Sequence, residues 1–185
     1  MSATEELKKE HRVIERVLTI IGEADVRESE GKDLPAEFFP KIIDFIRNFA
    51  DRCHHGKEED NLFPAMEQRG IPRQDGPVAI MLMEHDEGRG YVRGLDEAAQ
   101  RLAAGDKGAM REAMDNALDY AGLLRQHIEK EDNILYRMAD QALTAADQQQ
   151  LLERFEEVER ERLGEGKHEE YLTLVADLER ELGIS

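Results

Sequence analysis

One cysteine, no tryptophan, four tyrosines and six phenylalanines stand among 185 residues. Cys53 has no partner for an internal disulfide, so a reducing, cytoplasmic setting is expected. No run of 18 or more apolar residues is present, which excludes a membrane-spanning helix. The first residues, Met1-Ser2-Ala3-Thr4-Glu5-Glu6, lack the basic start and apolar stretch of an export signal. Bases are scarce beside acids, 25 against 42, and the net charge of -17 repels nucleic acid and anionic membrane. Neither is an expected partner. Strand-like alternation is missing too.

What is abundant is Glu, Leu, Ala and Arg in helical rhythm. Leu7, His11, Ile14, Leu18 and Ile21 make one stripe of a first helix, and the charged passage from Gly22 to Asp33 should contain the first turn. A second helix should start near Pro35 to Pro40 and run to Arg69, with Pro64 kinking it or ending it early. The third opens at Asp75-Gly76-Pro77 and carries Met81, His85, Val92 and Leu95. After a turn at Gly105-Asp106, the fourth carries Tyr120, Leu124, His127, Glu131 and Ile134. Short connections between long amphipathic helices predict an all-α fold, an up-down-up-down four-helix bundle over residues 1–143. Residues 144–185 read as a C-terminal two-helix appendage broken at Gly164-Glu165-Gly166 and packed on the bundle.

Four of the six histidines follow a repeat. Glu10-His11 matches Glu84-His85 at an offset of 74, and His55-Gly56-Lys57-Glu58-Glu59-Asp60 matches His127-Ile128-Glu129-Lys130-Glu131-Asp132 at 72. Residues four apart share a helix face, so His55 with Glu59, and His127 with Glu131, can each reach a common point. His11 and His85 lie on inward stripes. Isolated buried carboxylates are costly, and metal ions would remove that cost. The expected metal ligands are therefore His11, His55, Glu59, His85, His127 and Glu131, with the two glutamates bridging a pair of ions. Imidazole and carboxylate donors suit iron, manganese or zinc, and open positions on a bridged pair favour iron.

These residues, together with Cys53-His54-His55-Gly56-Lys57-Glu58-Glu59 and His127-Ile128-Glu129-Lys130-Glu131-Asp132, resemble the hemerythrin-like, or HHE cation-binding, family over about residues 5 to 140. Myohemerythrin is a known four-helix example of that bundle. The resemblance implies a non-heme centre of two Fe ions, with Mn or Zn as substitutes, and a small diatomic or peroxide ligand. It implies binding or sensing of oxygen and related oxidants. One departure is visible: the oxygen carriers have His-x-x-x-His on the third helix, whereas Arg89 follows His85 here. Simple oxygen carriage is thereby in doubt. Two other classes stay open, a di-iron oxidoreductase consuming peroxide or nitric oxide, and an interaction protein whose C-terminal helices dock a protein partner and report metal occupancy.

Other residues have plainer readings. On a regular helix Asp132 is rotated about 100° from Glu131, so Glu131 is preferred although the oxygen carriers use an Asp at that place. Glu15 can add a ligand or pair with Arg89. His54, rotated likewise from His55, should face a neighbouring helix or solvent, and His168 should lie on the surface. Cys53 reads as a small core residue. Tyr120 either packs in the core or lines a ligand pocket. Asn48 and Arg52 fall where apolar residues are expected, so either the stripe shifts to Ile42, Phe45 and Phe49 or a polar route opens. Glu58 and Asp60 read as solvated acids or as partners of imidazole N–H groups.

Overall fold

The computed structural model describes residues 2–184, and these form six helices without a strand. Helix α1 is Ala3–Ser29, opened by a capping box in which Ser2 and Glu5 satisfy each other's backbone N–H groups. Helix α2 covers residues 38–68, α3 is Gly76–Ala103, α4 covers 109–142, α5 covers 145–163 and α6 is Lys167–Leu182. The first turn lies within the charged passage as expected, at its far end: α1 runs to Ser29 and the turn follows at Glu30-Gly31. Helices α3 and α4 form the most extensive pair, while α1 lies against α4 and α2 against α3. Among the described residues no helix is long and apolar enough to cross a membrane.

Two helices depart from α geometry at matching places. The backbone N–H of Phe63 donates to Glu58 O, and that of Tyr136 donates to Glu131 O, each five residues back. Such π turns widen the helix and often mark functional positions. A longer π stretch occupies Ile46–His55. Pro64 does not end α2 early: it sits in the first turn of the α segment that resumes after the π turn. Arg137 holds the equivalent place in α4, so the π turn does not depend on proline.

The core is divided. One apolar cluster joins Ile14, Leu18 and Ile21 of α1 to Phe45 and Phe49 of α2, Leu95 of α3 and Leu124 of α4. A second joins Leu7, Leu62, Phe63, Met81 and Leu135. The stripe on α2 does shift to Ile42, Phe45 and Phe49, leaving Arg52 exposed. Between the clusters each bundle helix contributes polar residues to a buried waist: His11, then His54 and His55, then His85, then His127. The C-terminal helices are part of this packing. Leu151 and Phe155 of α5 belong to the second cluster, and Tyr171, Val175 and Leu178 of α6 to the first.

Candidate metal centre

Two groups of ligand-type atoms meet in the waist, those within each group lying no more than 4.8 Å apart. One comprises His11, His54, Glu58 and Glu131; the other comprises His55, Glu58, His85 and His127. All seven side chains are buried. Glu58 Oε2 lies 3.8 Å from His54 Nε2 and 3.5 Å from His85 Nε2, one histidine from each group. Glu131 Oε2 lies 3.2 Å from His11 Nε2 and 3.2 Å from His127 Nε2, again one from each. The two carboxylates thus straddle the groups under a local two-fold relation that exchanges the halves of the bundle.

The outer nitrogens are arranged as consistently as the inner ones. His11 Nδ1 donates to Asp132 at 2.8 Å, His54 Nδ1 to Glu10 at 2.8 Å and His85 Nδ1 to Glu59 at 2.7 Å. His127 Nδ1 donates to Glu84 at 2.8 Å, and His55 Nδ1 to Asp51 at 3.3 Å. With every Nδ1 engaged, each imidazole offers Nε2 to the interior. That is how protein carboxylates commonly orient metal-binding histidines. A lysine closes each half: Lys57 bonds Glu10, and Lys130 bonds Glu84. Burial pushes Glu10 up, but His54 and Lys57 outweigh it and hold the carboxyl down at about 2. Lys57 stays charged under the ring of Phe155, 5.8 Å from its centroid, and also reaches Glu159 of α5 at 3.3 Å.

The interior is unsatisfied without a cation. Glu58 Oε2 and both oxygens of Glu131 are buried with no hydrogen-bond partner. Burial and the neighbouring Glu131 raise Glu58 well above the usual carboxylate range. Burial works against a charge on His127, yet Glu131 and Glu84 outweigh it and lift it to about 9. His85 Nε2 faces His127 Nε2 at 3.1 Å, so two ring nitrogens converge on one spot. Five imidazoles, the three unpartnered oxygens of Glu58 and Glu131 and an outer ring of acceptors fit a pair of borderline metal ions.

The whole bundle carries the sequence pattern of this arrangement. The hemerythrin HHE cation binding domain matches residues 2–139. The chain belongs to that family. It is also 28% identical over 184 residues to an uncharacterized protein of Mycobacterium bovis and to one of Mycobacterium tuberculosis, covering 100% of this chain and 71% of theirs. No solved structure matches the chain.

Within this hemerythrin-type domain the expected ligands divide. His11, His55, His85, His127 and Glu131 all reach the waist. Glu59 does not: it accepts from His85 Nδ1 and from Arg89, outside both groups. Its place is taken by Glu58, and His54, expected to face a neighbour or solvent, points inward. The physical reason is the helix itself. A regular α helix separates adjacent side chains by about 100°, whereas the wider π turns bring neighbours such as His54 and His55 closer in direction. Asp132 bonds His11 from outside, and Glu15 pairs with Arg12 rather than Arg89. Cys53 is buried, and burial pushes its thiol up to about 12. His168 is only half-buried, 3.5 Å from Glu159.

A signal for the missed pair was present. At an offset of 73, Lys57-Glu58-Glu59 aligns with Lys130-Glu131-Asp132, and Leu62-Phe63 with Leu135-Tyr136. That register also sets His54 on His127. The structure uses it: Lys57 and Lys130 hold equivalent glutamates, and the two π turns begin at Glu58 and Glu131. His55 then has no equivalent, since Ile128 stands in its place. It stacks on His85 with centroids 3.8 Å apart and brings a third imidazole to that group, where the third helix has Arg89 instead of a histidine. Arg89 in turn grips Asp51 and Glu59, the acceptors of His55 and His85. The other group has Tyr136, whose hydroxyl donates to Glu58 at 2.6 Å and lies 3.3 Å from His11 Nε2.

Proposed function

We propose that this protein is a non-heme di-iron protein that binds or senses oxygen or a related small oxidant. The observation that supports it best is the combination of five inward Nε2 atoms with the buried, unpartnered oxygens of Glu58 and Glu131. His11 and His54 would hold one ion, His55, His85 and His127 the other, and Glu58 and Glu131 would bridge them. Two irons held there supply vacant coordination positions and exchangeable electrons for a small oxidant. The chain's own part is to orient: Asp132, Glu10, Asp51, Glu59 and Glu84 fix the imidazoles, and the two apolar clusters flank the waist on either side. The decisive experiment is iron content and the near-ultraviolet absorption spectrum beside a His54→Ala, His127→Ala double variant. About two irons per chain, lost in the variant, are expected; equal metal in both proteins would sink the reading.

One observation favours an enzymatic variant of this function. The buried Tyr136 hydroxyl touches both Glu58 and His11, and burial and Glu131 push its pKa well above the usual range. It is placed to keep and lend a proton at the two-histidine position, as an oxidoreductase consuming peroxide would need. Steady peroxide consumption by the iron-loaded protein, falling at least tenfold in Tyr136→Phe at unchanged iron content, is the expected sign. Turnover untouched by that substitution would remove the tyrosine from the chemistry and leave a binder or sensor.

A further inference from the structure

A cavity of about 240 Å³ opens between α2, α3 and α4, on the side of the three-histidine group. Its inner wall includes His55 and His85, and Ile46, Val92 and Leu124 line its sides. Gly88 contributes no side chain there. The ring of Tyr120 forms part of the wall, and its hydroxyl is buried with no hydrogen-bond partner. A buried, unbonded hydroxyl beside a cavity costs free energy unless something in the cavity satisfies it.

The charges around the opening are unequal in availability. Arg89 is taken up by Asp51, Glu59 and Asp86, and Glu84 by His127 and Lys130. Arg47 bonds Asp96 at 2.7 Å. Arg93 is exposed and has no ion pair among the described residues. The overall charge of -17 opposes anions, so an anion at this opening must be held locally, and Arg93 is the guanidinium there without an acid on it. A guanidinium presents a planar fork that matches a carboxylate. The cavity is smaller than the roughly 300–1,000 Å³ of drug-sized sites, so its occupant is a single ring or a few carbons.

We propose that this cavity binds a small organic monocarboxylate, with its carboxylate on Arg93, its apolar body against Ile46, Val92 and Leu124, and a polar group at its inner end on the Tyr120 hydroxyl. The site goes beyond the metal reading, because none of these contacts requires a particular ion. It places a second, organic ligand against the wall that carries His55 and His85.

Calorimetric titration of the protein as purified, with its metal, tests this using 4-hydroxybenzoate, benzoate and inorganic phosphate. The expected order is 4-hydroxybenzoate tightest, then benzoate, with phosphate far weaker. Arg93→Gln, an exposed change that leaves the fold alone, should weaken both carboxylates about tenfold or more. Tyr120→Phe should bring 4-hydroxybenzoate down to the level of benzoate without changing benzoate itself. Gly88→Leu should fill the cavity and abolish binding, with its helix content checked by circular dichroism. Three results would overturn the proposal: no carboxylate binding, binding unchanged in Arg93→Gln (the carboxylate having gone to the metal instead), or phosphate binding as tightly as the carboxylates.

Discussion

Glu58 and Glu59 are neighbours in sequence with opposite fates, one fully buried between histidines and the other on the outside gripping His85 and Arg89. Glu58→Gln removes the carboxylate that lies between the two histidine groups and, on the proposed reading, should lower bound metal below two ions per chain. Glu59→Gln should keep the stoichiometry while weakening affinity by about 10–100-fold, the usual effect of removing an imidazole's outer partner. Metal content by mass spectrometry with a competitive chelator separates them; the reverse pattern would restore Glu59 as the ligand. Most of the site was legible at this scale. His11, His85, His127 and Glu131 follow from spacing alone, since the helix leading up to each is regular. His54 and Glu58 were not, because side-chain direction was extrapolated through Ile46–His55, where the helix is no longer α. Sequence spacing does not reveal a π turn. The register at 73, which pairs Lys57 with Lys130, is the sequence signal that points to both residues.

At the scale of the element, the bundle helices tolerate more glycine than they need. A Cβ on Gly122, mid-helix in α4, would meet nothing within 4 Å. Gly122→Ala should therefore raise stability by roughly 0.5–1 kcal/mol through helix propensity and chain entropy. Gly94 in α3 faces α4 closely, and a Cβ there would fall 2.4 Å from Asn116 Oδ1. Gly94→Ala should gain less or lose, because Asn116 must swing away and surrender its bond to Glu112 O. Urea midpoints for the two variants check the contrast; equal gains would mean that Asn116 moves freely. Helix existence was readable from periodicity, and so were the breaks at Gly105-Asp106 and Gly164-Glu165-Gly166. The end of α1 was not, because its last turns carry the charged composition of a loop while Val26 and Arg27 continue the helix.

Across the whole molecule, the two extra C-terminal helices pack on the bundle as expected and share both of its apolar clusters. Phe155 is 2% exposed, shares a cluster with Leu7 and Leu62, and covers Lys57. Phe155→Ala should cost about 3–5 kcal/mol as a cavity substitution and should also loosen the Lys57–Glu10–His54 chain. Thermal unfolding followed by circular dichroism, with and without metal, reads both effects; a loss under 1 kcal/mol would show that the helices are merely draped on the bundle. Acid should act on the same contacts. Asp147 bonds Arg69 and Thr144, and Glu179 bonds Arg16, and each carboxyl is held below its ordinary pKa mainly by its arginine. Their contribution is fully present above the unfolded carboxylate range, about pH 4, and is lost as pH falls below it. Amide exchange in α5 and α6, corrected for intrinsic rates, should rise relative to α3 between pH 5 and pH 3. Uniform behaviour across all helices would argue that other carboxylates set the acid limit.

The paired π turns also speak to ancestry. Each adds one residue to a helical turn that begins at a buried carboxylate of the waist, Glu58 in one half and Glu131 in the other. Two independent insertions would have had to land on equivalent codons. A single insertion in an ancestral helical hairpin, followed by copying of that hairpin, needs only one event. On that account the widened turn is older than the four-helix molecule, and His55 and Tyr136, which are matched by Ile128 and Phe63 across the two-fold relation, are the later specialisations of its halves.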